Sequence, residues 1–203
     1  MLLKHTIRKR DWVSDSKYYT FNDMLEDSDV GFPHSELCKY PRAGGVTWFS
    51  GAPHRVVIPA PIEVELDPEY GTELLDAYHV IIPIWSDRLI EAVRRAAADN
   101  FELYDTVIRD PRTGLETTAY RAVNIIGRID CSDMQQSEYD SRSEARAREF
   151  TRLVIDPKKT LGLKMFRLHE RPTVLIINEE VKQSIEAAGV RGIRADAVAL
   201  TKR

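Results

Sequence analysis

His79-Val-Ile-Ile-Pro-Ile-Trp85, followed by Ser86-Asp87, the run Arg88-Leu-Ile-Glu-Ala-Val-Arg-Arg-Ala-Ala-Ala98 and then Phe101-Glu-Leu-Tyr-Asp-Thr-Val-Ile108, reads as strand, helix, strand. The first piece is apolar and β-branched. Ser86 follows it as a helix N-cap, and Asp87 lies in the first turn, where the helix dipole favours an anion. Leu89, Ile90, Val93, Ala96 and Ala97 recur at the spacing of one buried helix face, leaving Arg88, Glu91, Arg94 and Arg95 for water. Asp99-Asn100 ends that pattern, and Phe101, Leu103 and Val107 alternate as in a half-buried strand.

The same order returns near the C-terminus. Thr173-Val-Leu-Ile-Ile177 is strand-like, Asn178 is an N-cap backed by Glu179 and Glu180, and Val181, Ile185 and Ala188 form an apolar helix face ending before Gly189. Asn178 stands 92 positions after Ser86, Val181 92 after Leu89 and Ile193 92 after Phe101. A repeated strand-helix-strand unit is the expectation, although capping and periodicity alone also produce such matches between unrelated segments. Neither copy carries catalytic residues.

Outside the two units the chain reads mostly as strands. Gly44 to Gly51 looks like a strand between glycine turns, with Arg55 to Ile58 continuing it until Pro59-Ala-Pro61 interrupts. Ile62-Glu-Val-Glu-Leu66 alternates apolar and acidic residues, a strand with one wet face. Asp110-Pro-Arg-Thr-Gly114 is turn chemistry joining two strand-like runs into a hairpin. Cys131 to Ser143 is polar without periodicity, Phe150 to Ile155 and Leu163 to Leu168 are further strands, and Met1 to about Arg42 yields no firm assignment. The expected class is α+β: a mixed, mainly antiparallel sheet with two principal helices, in a single domain over 1–203.

At 203 residues the chain is long enough for one real core, and 43% hydrophobic with 30% charged residues is ordinary for a soluble protein. No apolar run is long enough to span a bilayer, and the N-terminus lacks the order of a signal peptide, so cytoplasmic residence is expected. Cys38 and Cys131, with no CxxC partner, read as reduced thiols. The net charge of −3 is unevenly spread. No Lys or Arg occurs between Arg55 and Arg88, where Glu63, Glu65, Asp67, Glu69, Glu73 and Asp76 accumulate.

Motifs for familiar chemistry are missing from the sequence. His5, His34, His54, His79 and His169 show no metal-binding spacing, and there is no GxxxxGK[ST] or GxGxxG. No cofactor is expected. Asp130, Asp133, Glu138 and Asp140 with Lys158 or Lys159 could be drawn as a metal-dependent nuclease or hydrolase site, and Ser132 or Ser137 with His169 as a nucleophile and base. Arg142, Arg146, Arg148 and Arg152 could contact phosphates as a nucleic-acid-binding module, though few aromatic residues accompany them. Trp48, Phe49 and Trp85 sit in apolar runs and read as core.

Pro83-Ile-Trp-Ser-Asp-Arg-Leu89, the Asn124 to Asp130 run, the Ser137 loop, Lys164-Met-Phe-Arg-Leu168 and the stretch from Ile176 to Ile193 together resemble one family. It is the bacterial polymorphic-toxin immunity family Imm11, also called the DUF1629 family, and the resemblance covers about Gly45 to Leu200. The segment 1–44 lies outside it as a variable N-terminal part that could adjust partner choice. The resemblance implies a cytoplasmic antidote that binds a cognate toxin delivered between neighbouring bacteria and catalyses nothing. Because many such toxins have basic clefts, Glu63, Glu65, Asp67, Glu69, Asp130, Asp133, Glu138 and Asp140 are the expected partner-binding residues.

Overall fold

The computed structural model describes residues 17–23, 35–40, 46–79, 81–145 and 147–202. Its elements in chain order begin with the strands β1 (Tyr18–Asp23), β2 (Leu37–Lys39), β3 (Ile62–Leu66), β4 (Ala77–Tyr78) and β5 (Ile84–Ser86). Helix α1 (Asp87–Arg95) leads into β6 (Phe101–Arg109), β7 (Glu116–Ile125) and β8 (Arg128–Ile129). β9 (Glu138–Tyr139), β10 (Phe150–Arg152), β11 (Val154–Ile155), β12 (Met165–Leu168) and β13 (Leu175–Asn178) precede helix α2 (Glu179–Ala187) and β14 (Ile193–Leu200).

Two six-stranded sheets form where a single sheet was expected. One runs β2-β3-β6-β7-β5-β4, the other β11-β14-β1-β13-β12-β8, and β9 with β10 makes a separate ribbon. Both large sheets are mixed. β6 pairs parallel with β3 and antiparallel with β7, while β14 pairs parallel with β11 and antiparallel with β1. β5 and β6 are thus separated by β7, and β13 and β14 by β1, so neither strand-helix-strand unit closes on itself.

The run from His79 to Trp85 is not one strand. Ala77 pairs with Trp85 and Tyr78 with Ile84, so the chain reverses between them. Both arms are buried, and a uniformly apolar hairpin looks in sequence like one buried strand. Phe150 to Ile155 likewise divides, β10 going to the ribbon and β11 to the sheet edge. Residues 46–61 contain no strand, yet Trp48 is 2% exposed beneath this irregular segment.

Caps behave as read. The Ser86 hydroxyl accepts from Leu89 N, the Asn178 side chain accepts from Val181 N, and Gly189 follows α2 at φ +61°. Each cap contributes about 1 kcal/mol to its helix. Leu89, Ile90, Ala92 and Val93 of α1 and Val181 and Ile185 of α2 enter one shared core with Tyr19, Phe21, Trp85, Val123, Met165 and Ile177. That core joins the inner faces of both sheets. A second cluster, with Trp48, Val64 and Ile108, covers the outer face of the β6 sheet, and a third, with Cys131, Phe166 and Ile176, covers that of the β14 sheet.

Strand β1 is the largest departure from the sequence reading. Tyr18–Asp23 falls in the segment that yielded no assignment, and it lies between β13 and β14 with Tyr19 and Phe21 in the shared core. Residues 1–16 and 24–34, with Trp12, Met24 and His34 among them, lie outside the described residues.

Candidate functional site

The eight predicted acids fall into two groups on different sheets. Glu63 and Glu65 lie on β3, whose burial alternates so that Ile62, Val64 and Leu66 face the core and the two glutamates face out. They border a groove of about 280 Å³ with Lys39, Tyr40, Val107 and Arg109. Lys39 on β2 forms an ion pair with Glu65, and Arg109 on β6 is paired to Glu116 at 2.7 Å, which, with smaller contributions from Glu63 and Glu65, raises its pKa. Cations absent from the local sequence are therefore supplied by neighbouring strands. Asp67 turns inward to its own chain, its carboxylate accepting from Glu69 N at 2.9 Å, and Glu69 is exposed.

The second group flanks β8, β9 and β10. Asp133 accepts from the backbone N–H groups of Gln135 and Gln136, each at 3.1 Å, and from the Thr201 hydroxyl at 2.9 Å, and the Thr201 bond above all holds its pKa down. Asp140 is held low mainly by the Arg142 guanidinium, at 2.8–3.0 Å. Both carboxylates organise local turns. Asp130 and Glu138 stand exposed.

Nothing among the described residues gathers three His, Cys, Asp or Glu side chains into a possible metal site, so Asp130, Asp133, Glu138 and Asp140 do not converge on an ion. Ser137 is engaged with backbone, donating to Val154 O at 3.2 Å and accepting from Val154 N at 3.0 Å. Ser132 donates its backbone N–H to Glu170 Oε1 at 3.2 Å. No described hydrogen bond joins either serine to His169. The described arginines bond locally: Arg142 holds Asp140, Arg148 reaches Ser143 O and lies 5.1 Å from the Tyr139 ring, and exposed Arg152 donates to the neutral Gln136 carbonyl. Arg146 lies outside the described residues. Cys38 and Cys131 are free thiols, and burial pushes the Cys131 thiol up to about 12.

The most elaborate polar arrangement was not read from sequence. Asp76, 4% exposed, receives the Ser86 hydroxyl at 2.5 Å, two donors of Arg88 and the Arg191 backbone N–H at 2.7 Å. Burial alone would raise its pKa, but these donors, Arg88 first, leave it below the usual value. It joins β4, the start of α1 and the approach to β14. Arg167, 2% exposed, lies 4.7 Å from the Phe49 ring and donates to Pro172 O at 3.0 Å. The remaining local signal for both was a charged residue inside an apolar context, which sequence alone does not separate from a solvated one.

Among the described residues, charge-lined grooves lie beside β3 and beside β14. The chain belongs to the Imm11 immunity protein family, whose model matches residues 6–199. That match extends well N-terminal of Gly45 and takes in β1. Membership suggests a role in toxin immunity, with a toxin protein as the partner. No curated protein matches the chain. No helix among the described residues is long and apolar enough to cross a membrane.

Proposed function

We propose that this chain is a cytoplasmic antidote that binds one cognate toxin delivered by a neighbouring bacterium and neutralises it by covering the toxin's active site, with no catalysis of its own. The observation that carries the reading is the family match over nearly the whole chain. Glu63, Glu65, Asp67 and Glu69 on and just after β3, and Asp130, Asp133, Glu138 and Asp140 between β8 and β10, contribute negative charge toward a basic toxin cleft. Exposed Glu63, Glu69, Asp130 and Glu138 contribute most, because the others are already engaged within the chain.

The scaffold for that surface is a duplicated unit. α2 begins and ends 92 positions after α1, both sheets place an antiparallel strand between the flanking parallel pair, and Ser184 donates to the carbonyl of Ala92, its counterpart under the same offset.

Co-expression tests the reading directly. A lethal toxin captured with the tagged chain should be neutralised at one-to-one stoichiometry, and a captured protein that is harmless, or is not neutralised, overturns it. Glu63→Lys with Glu69→Lys should slow association at low salt; unchanged kinetics would remove β3 from the interface.

A further inference from the structure

Among the described residues, most of the outer edge of β14 has no neighbouring strand. Thr201 N, just beyond it, donates to Ile155 O at 3.0 Å, which shows which backbone groups point away from β1. Stepping back by twos along the strand, Ala199, Ala197, Ala195 and Ile193 direct their N–H and C=O groups the same way. β11 meets this edge only at Ala199 and Leu200. From Ile193 to Val198, no strand among the described residues pairs on that side. The segment before β11 makes no described ladder with β14, since β10 pairs with β9, although Phe150 to Leu153 line the same groove as Ala197 to Ala199.

A groove of about 620 Å³ runs beside this edge. Thr20, Arg194, Asp196 and Val198 share the outer sheet face there, and Arg152 and Arg171 stand at its walls. Arg194 is held by Asp196 at 2.9 Å, so the positive charge offered to a ligand comes chiefly from Arg152 and Arg171. The corresponding position beside β6 is filled differently. β3 pairs with β6 from Thr106 to Arg109, the backbone N–H of His54 donates to Glu102 at 3.2 Å, and Pro61, which has no N–H, borders Asp105. Among the described residues, β6 is paired by β3 along part of this edge, while β14 has no strand partner on it from Ile193 to Val198.

We propose that an extended acidic segment of the toxin adds to the β14 edge as a further strand. Its backbone pairs with Ile193, Ala195 and Ala197, and its Asp or Glu side chains meet Arg152 and Arg171. This rests on the antidote reading and assigns it a specific contact.

The probe is a short fluorescent peptide alternating Val and Glu, titrated into the full chain and followed by anisotropy. It should bind, lose about tenfold or more in affinity to R152E/R171E, and fail when its alternate amides are N-methylated. No binding, equal binding of the N-methylated peptide, or indifference to R152E/R171E would each overturn the proposal. Binding seen only when Glu26, Asp27 and Asp29 are changed to amides would make the chain's own 24–34 segment the occupant, and overturn it too. In the rescue assay, an R152E/R171E chain with unchanged melting temperature should no longer protect. If wild type and variant protect alike, the edge contact fails and the antidote reading stands; if wild type does not protect, the antidote reading itself fails.

Discussion

His79 shows how a single side chain can set a pH response. Its ring keeps some accessible surface but is enclosed by Phe21 at 5.1 Å and Trp85 at 5.9 Å, and Trp85 Nε1 donates to its Nε2 at 2.7 Å. Burial first, then the charge of Arg167, lowers its pKa to about 3. The ring is therefore neutral in the folded chain, with its proton on Nδ1. As pH falls below about 6.5 the unfolded state takes up a proton that the folded state refuses until about pH 3, so stability is lost across that window. Urea denaturation should give about 2 kcal/mol less stability at pH 5 than at pH 7.5 from this group. The His79→Phe chain should show a flatter pH dependence; identical slopes in both chains would mean that His79 is not the group responsible.

At the scale of elements, the contact between α1 and α2 joins the two halves of the core. Ser184 Oγ donates to Ala92 O at 2.6 Å, and Ala92 is fully buried, so two small residues allow the helices to approach closely. Ser184→Ala should cost about 1 kcal/mol through the lost hydrogen bond. Ser184→Leu should cost more, about 1–3 kcal/mol, because the added carbons must push the helices apart. Equal melting temperatures for the two variants would show that the crossing has room to spare. The helices themselves were legible in sequence, since Ser86 and Asn178 are caps by local chemistry and the apolar spacing marks the buried faces. Strand partners were not: β5 looked continuous with the residues before it because both arms of its hairpin are apolar.

For the whole molecule, the strand that closes the β14 sheet comes from the opposite end of the chain. Tyr18–Asp23 pairs with both β13 and β14, and Phe21 is 3% exposed in the shared core. A chain beginning at residue 24 would leave two interior edges unpaired and lose aromatic burial of about 2–3 kcal/mol for Phe21 alone. It should show no cooperative thermal transition. If it melts like the full chain, β1 is not an integral strand of the sheet. The candidate surface was legible only in part. Exposed Glu63 and Glu69 follow from alternation and turn chemistry, but the ion pair of Glu65 with Lys39 depends on which strand lies beside β3.

The amino-acid sequence by itself determined the two capped helices, the alternating β3 strand, the β6–β7 hairpin and the family resemblance, because caps, turns and periodicity act over a few residues. The division into two sheets, the central place of β1, the buried networks of Asp76 and Arg167 and the edge of β14 left unpaired among the described residues were decided only by the tertiary structure. Each joins residues far apart in the chain, and a pairing over that distance is selected by the burial and hydrogen-bond satisfaction of the whole fold, which no local pattern encodes.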